Sequence, residues 1–151
     1  MHRYIKGARS ERELLNKFYE IGYSVVRAAG SGVNALGPDI LAIKDGICFS
    51  FECKAWDRGS LSLDPEQYGK LVDWERNSAT HTFVAWRIKG RGWLFIKLDE
   101  FTKGEKNYNV TMKHAYEINR DLDSILAMGP SPGTGQQSGT TQKAGRQQAS
   151  A

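Results

Sequence analysis

Pro38-Asp39-Ile40-Leu41-Ala42-Ile43-Lys44-Asp45-Gly46-Ile47-Cys48-Phe49-Ser50-Phe51-Glu52-Cys53-Lys54 is the stretch that decides how this chain reads. Two apolar runs, rich in β-branched and aromatic residues, flank Asp45-Gly46. That dipeptide suits a two-residue hairpin turn, because both residues tolerate the left-handed backbone such a turn requires. The spacing predicts strands over 39–44 and 47–55. Pro38 fits the start of a strand, where its missing N–H breaks no ladder bond. A two-residue turn sets Lys44 against Ile47, and counting back sets Asp39 against Glu52.

Alternation along the second strand puts Cys48, Ser50, Glu52 and Lys54 on one face and Ile47, Phe49, Phe51 and Cys53 on the other. Taken alone, Glu52-Cys53-Lys54 also fits a salt bridge on a solvated face. Asp39 opposite Glu52 adds a second consideration, since directly opposed carboxylates repel. A divalent cation converts that repulsion into a binding site, and hard cations prefer carboxylate oxygens. A lysine two residues on brings an ammonium to where water would attack a phosphodiester.

Upstream, Leu14, Leu15, Phe18 and Ile21 recur at helical spacing. Ser10 and Glu13 form a candidate capping box ahead of them, and Gly22 is a natural stop. Glu11 shares the buried face of this helix; near the helix start it also suits the helix dipole. Tyr23 to Ala28 reads as a strand, followed by a Gly- and Ser-rich loop through Gly37.

Downstream, Asp64 reads as an N-cap, with Pro65 at the first helical position and Gln67 at the capping-box site. This second helix extends to about Ser78. Thr82 to Ile88 and Trp93 to Leu98 form another hairpin around Gly90-Arg91-Gly92. Asn107 to Met112 is expected as an edge strand and Asp121 to Met128 as a short closing helix. The result is an α+β domain built on a mixed sheet and spanning residues 1–128. From Gly129 to Ala151 the chain is Gly, Ser, Thr, Gln, Pro and Ala with two charges, a composition that predicts a flexible tail.

The 151 residues carry a net charge of +4, with Arg3, Lys6, Arg9 and Arg12 crowding the first dozen positions and Arg27 downstream. That placement suits nucleic acid, although such a charge also occurs in soluble basic proteins. No apolar run is long enough to span a membrane. The N-terminus lacks the apolar segment of a secretory signal. Cys48 and Cys53, on opposite faces of one strand, are expected as buried thiols in a reducing cytoplasm.

Order and context together resemble the PD-(D/E)xK nuclease superfamily and, more closely, the archaeal Holliday junction resolvases. The resemblance runs from Lys6-Gly7 through Glu11-Arg12-Glu13-Leu14 and Gly22 to Gly32. It continues through Pro38 to Lys44 and Phe51-Glu52-Cys53-Lys54 to Gln67. It implies a restriction-endonuclease-like fold, a central mixed sheet flanked by helices. It also implies a magnesium site, open to manganese, completed by Glu11, Asp39 and Glu52. Lys54 is then the residue that orients or activates the attacking water. Ser31 is implied as a catalytic serine on a loop, and Arg27 with Arg3, Lys6, Arg9 and Arg12 as contacts to the DNA backbone.

The substrate so implied is a four-way DNA junction, cut by paired symmetric nicks. A twofold homodimer answers the symmetry of that substrate. Tyr68, Leu71, Val72 and Trp74 spread over more than one face of the second helix, and Trp86 alternates with Val84 and Ile88. These residues suit either a dimer surface or a helix buried on two sides within one subunit. Alternative functions are a related nuclease acting on duplex, flaps or single strands, and a non-catalytic protein that binds DNA structures.

Overall fold

The computed structural model describes residues 2–28 and 36–131, and no side chain before Gly7. Ser31 and the expected tail beyond Ser131 lie outside the described residues, as do the side chains of Arg3 and Lys6. Asp45 (φ 52°) and Gly46 (φ 78°) both adopt the left-handed backbone that the hairpin needs. Strand β2 (Ile40–Lys44) therefore pairs antiparallel with β3 (Ile47–Ala55), Lys44 opposite Ile47 and Ile40 opposite Phe51.

This hairpin is the middle of a five-stranded sheet. Its outer neighbours are β1 (Ser24–Arg27) on one side and β5 (His81–Ile88) then β6 (Gly92–Lys97) on the other. Pairing is antiparallel except between β3 and β5, which run parallel from Phe49 opposite His81 to Ala55 opposite Arg87. A parallel pair needs a long crossover. Here it contains β4 (Ser60–Leu63) and helix α2 (Pro65–Ser78).

Helix α1 (His2–Glu20) starts a full two turns before the expected cap at Ser10. No proline interrupts residues 2–9, and the arginines, lysine and alanine there favour helix. Ser10 is consequently a buried interior residue, and Glu13 turns to Arg87 and Trp93 instead of back to Ser10. Leu14 and Phe18 are fully buried as expected. Ile21, past the end of the helix, is exposed where the chain turns at Gly22 (φ 90°).

Alternation builds two cores on the two sheet faces. Leu14 and Phe18 of α1 pack on Ile40, Ala42, Phe49, Phe51, Phe83 and Phe95, the Phe18 and Phe51 rings 5.1 Å apart. On the other face, Leu71 of α2 joins Val84, Trp86, Leu94 and Ile96. A second sheet covers this side, with β8 (Tyr108–Thr111) between β4 and β7 (Thr102–Lys103). The stretch read as an edge strand is thus the central one, because Ser-Leu-Ser-Leu at 60–63 pairs with it across a long sequence gap. Helices α3 (Met112–Ile118) and α4 (Leu122–Leu126) close the domain, α4 within the expected 121–128 and capped by Asp121.

The α2 residues considered for a dimer surface are mostly engaged inside the subunit. Leu71 is 3% exposed, Tyr68 donates to the Leu98 carbonyl at 2.9 Å, and Trp74 Nε1 donates to Ser50 Oγ at 2.9 Å. Trp86 is fully buried, its Nε1 donating to the Trp56 carbonyl at 2.8 Å. Trp86 is therefore a core residue and no part of an intersubunit surface. Of the α2 set, Val72 alone is exposed.

Candidate active site at the β2–β3 hairpin

The β2–β3 ladder ends with Ile40 opposite Phe51, so the expected pairing of Asp39 with Glu52 is not part of it; Asp39 instead sits one residue before the ladder. Asp39 N donates to the Phe51 carbonyl at 2.9 Å, and Ala28 N donates to the Asp39 carbonyl at 2.8 Å. Its side chain is fixed too, since Cys53 N donates to Asp39 Oδ2 at 2.8 Å. Gly37 helps set this entry: a Cβ there would lie 3.0 Å from the Trp74 ring. Any larger residue would have to push the Trp74 ring back for α2 to lie this close to the turn into Pro38-Asp39.

Glu52 is buried, 9% exposed, on the face shared with Ser50 and α2. Lys54 Nζ lies 3.5 Å from Glu52 Oε1, forming the expected pair, but the side chains are 21% and 11% exposed, so this is no solvated face. Gln67 Nε2 donates to the same oxygen at 2.8 Å. Gln67 does not close a capping box: Asp64 Oδ1 accepts its backbone N–H at 2.8 Å, while its side chain reaches across to the sheet.

Burial pushes the Asp39 carboxyl up to about 6, helped by the nearby charge of Glu11 and opposed by the Cys53 amide. Burial also pushes Glu52 up to about 7, with the charge of Asp39 adding to the rise and Lys54 opposing it. Two neighbouring buried acids, both held above the ordinary carboxylate range, are short of positive charge. Hard oxygen donors in that state fit a hard divalent cation.

Glu11 stands apart from this pair. Arg27 Nε and Nη2 both lie 3.0 Å from Glu11 Oε2. Consequently, among the described residues no three His, Cys, Asp or Glu side chains converge on one metal position. The structure brings together Asp39, Glu52 and Lys54, and holds Glu11 nearby in a pair with Arg27.

Arg9 and Arg12, both exposed, open on a groove that Arg87 and Lys89 also line, with Glu13 and Asp57 as its acids. The last two cations were missed in the sequence. Their period-two spacing at the end of β5 was the available signal, since it places them on one face. Cys48 and Cys53 are free thiols; Cys48 is only partly buried, whereas Cys53 is deep enough for burial to push its thiol well up.

Residues 2–128 match the family of archaeal Holliday junction resolvases, Hjc. This chain belongs to that family. The crossover junction endodeoxyribonuclease Hjc of Archaeoglobus fulgidus is 30% identical over 106 residues, 70% of this chain and 78% of the relative. A protein of the same name from Methanocaldococcus jannaschii is 31% identical over 107 residues, 71% of this chain and 77% of the relative. The solved structure of A. fulgidus Hjc, a Holliday junction resolvase from an archaeal hyperthermophile, matches with a TM-score of 0.71 at 24% identity. It covers 82% of this chain and 98% of that one. The expected restriction-endonuclease-like fold, a mixed sheet flanked by helices, is what the chain adopts. Nucleases of this kind depend on a metal ion.

Proposed function

We propose that this chain is a magnesium-dependent endodeoxyribonuclease that resolves four-way DNA junctions by paired symmetric nicks. One observation carries the reading: in a chain of the resolvase family, Asp39, Glu52 and Lys54 meet in a buried cluster at the hairpin. Asp39 and Glu52 would hold magnesium, or manganese in its place, with Glu11 joining once it parts from Arg27. The bound ion supplies Lewis acidity at the scissile phosphate. Lys54 orients the attacking water and offsets charge on the phosphate, and hydrolysis leaves a 5′ phosphate. Ser31 acts on the scissile phosphate as the family resemblance implies. Arg3, Lys6, Arg9, Arg12 and Arg27 hold the DNA backbone, which fixes position without reading bases.

A twofold dimer would place two such sites on the two strands to be cut. In place of Trp86, the exposed apolar residues of the β1–β2 half of the sheet support such a surface. Val26 is 55% and Ile43 39% exposed, and register puts both on the same sheet face as Leu41 and Ser50. The nuclease domain is residues 1–128, and 129–151 form a segment outside it. The composition of that segment and a family match ending at residue 128 support this boundary. The protein works in the cytoplasm, where Cys48 and Cys53 stay reduced. Among the described residues no helix is long and apolar enough to cross a membrane.

The test is cleavage of matched junction, duplex and flap substrates with magnesium and with EDTA. Symmetric nicks in the junction alone, abolished by EDTA, are expected. Equal cutting of plain duplex would overturn the junction assignment, and undiminished cutting in EDTA the metal.

A further inference from the structure

Glu52 has two oxygens, and its two neighbours both choose the same one. Gln67 Nε2 donates to Oε1 at 2.8 Å, and Lys54 Nζ stands 3.5 Å from that atom. Neither contact uses Oε2. Lys54 sits on the same strand as Glu52, so its long side chain restrains the carboxylate weakly. Gln67 comes from a different element and is held at its own backbone.

That anchoring is unusually complete. Asp64 Oδ1 accepts the Gln67 N–H at 2.8 Å, and Pro65 fixes the first helical position. The next residue, Tyr68, is tied to the Leu98 carbonyl and stacked on Tyr108. Two turns on, Trp74 is bonded to Ser50 of β3, the residue two before Glu52 on the same face. The first turn of α2 is therefore located against β3 by contacts that do not involve Glu52. An amide in this position can act as a fixed stop for the carboxylate.

We propose that Gln67 is a positioning residue of this nuclease: by holding Glu52 Oε1 from α2, it presents Oε2 to the divalent cation and sets the cation's place beside Asp39. The inference rests on the function proposed above. A glutamine serves where a lysine or arginine would not, because its N–H orients the carboxylate without neutralising the charge that binds metal. The arrangement is that of an outer group fixing the orientation of a metal-binding carboxylate.

The experiment compares wild type with Gln67→Met and Gln67→Ala in the full chain. Met fills the same volume but donates nothing; Ala removes both. Three quantities are measured: Mn2+ binding to DNA-free protein by the paramagnetic resonance of free Mn2+, single-turnover junction cleavage at saturating protein, and the thermal midpoint in EDTA. Loss of a hydrogen bond to a charged group corresponds to roughly tenfold or more. Both variants are expected to bind Mn2+ about tenfold more weakly and to cut at least about tenfold more slowly. Their thermal midpoints should stay within about 3 °C of wild type. A Met variant that matches wild type in Mn2+ binding and rate, while Ala falls behind, would assign Gln67 to packing and overturn the proposal. So would two variants that lose thermal stability but keep Mn2+ affinity. Failure of the wild type itself to cut the junction would instead overturn the proposed function.

Discussion

Arg27 grips Glu11 through two nitrogens, Nε and Nη2, each 3.0 Å from the same oxygen. The pair joins a residue expected to hold DNA phosphate to one expected to hold metal, and neither can do both at once. Arg27→Gln should therefore raise the Mn2+ affinity of the DNA-free protein severalfold. The same variant should lose junction affinity and flatten the dependence of log binding constant on log salt by about 0.9. Titrations of Mn2+ and of labelled junction at several salt concentrations check both. Unchanged Mn2+ binding would mean that Arg27 does not compete for Glu11.

Asp39 and Glu52 repel each other in a buried site, so replacing one by its amide should stabilise the metal-free fold while abolishing cleavage. For Glu52→Gln, a rise from the ordinary 4.5 to about 7, mostly from burial, corresponds to on the order of 3 kcal/mol at pH 8. Denaturant unfolding in EDTA measures it, and a destabilised variant would contradict the repulsion. Junction binding without metal should survive in both Asp39→Asn and Glu52→Gln, with cleavage lost.

The sign of the pH dependence follows from the same two groups. Their native pKa values are raised, so the metal-free protein binds more protons than its unfolded chain between the ordinary carboxylate range and about 7. Stability in EDTA should thus be greatest at low pH within the folded range and fall as pH rises through about 6 to 7. Metal affinity moves oppositely, because the ion requires both acids ionised. Mn2+ binding should weaken as pH drops from about 8 through 7 to 6. Binding that is flat over that range would show the acids to be ionised throughout.

Trp86 and Val26 distinguish core from surface. Trp86 is fully buried with its indole N–H bonded, so Trp86→Ala should cost about 3–5 kcal/mol in unfolding experiments whatever the protein concentration. Val26→Lys and Ile43→Lys lie on exposed sheet and should barely alter monomer stability. If this face joins two copies, sedimentation will show the wild type as a dimer and the double lysine variant as a monomer. A wild-type monomer at micromolar concentration would remove the dimer from the proposed function.

The hairpin was legible because its determinants are local. Asp45-Gly46 fixes the turn, period two fixes the faces, and together they set the register from Lys44 opposite Ile47 to Ile40 opposite Phe51 before any tertiary contact is known. Asp64-Pro65 marks the start of α2 for the same reason, as its cap is made three residues away. Ser10 misled because a cap depends on what the preceding residues do, and here they continue the helix.

By itself, then, the sequence determined the register of the hairpin and singled out Asp39, Glu52 and Lys54 as the candidate cluster on it. Only the tertiary structure decided how those groups are held. Gln67 meets Glu52 and Arg27 meets Glu11 at separations of 15 and 16 residues, between different elements. β8 became a central strand through a pairing with β4 nearly fifty residues earlier, and Trp86 became core once that second sheet covered it. Turn chemistry and side-chain alternation act over a few residues and are written in order along the chain. Which rotamer a carboxylate adopts, and what lies over an apolar strand, depends on elements that meet only after folding.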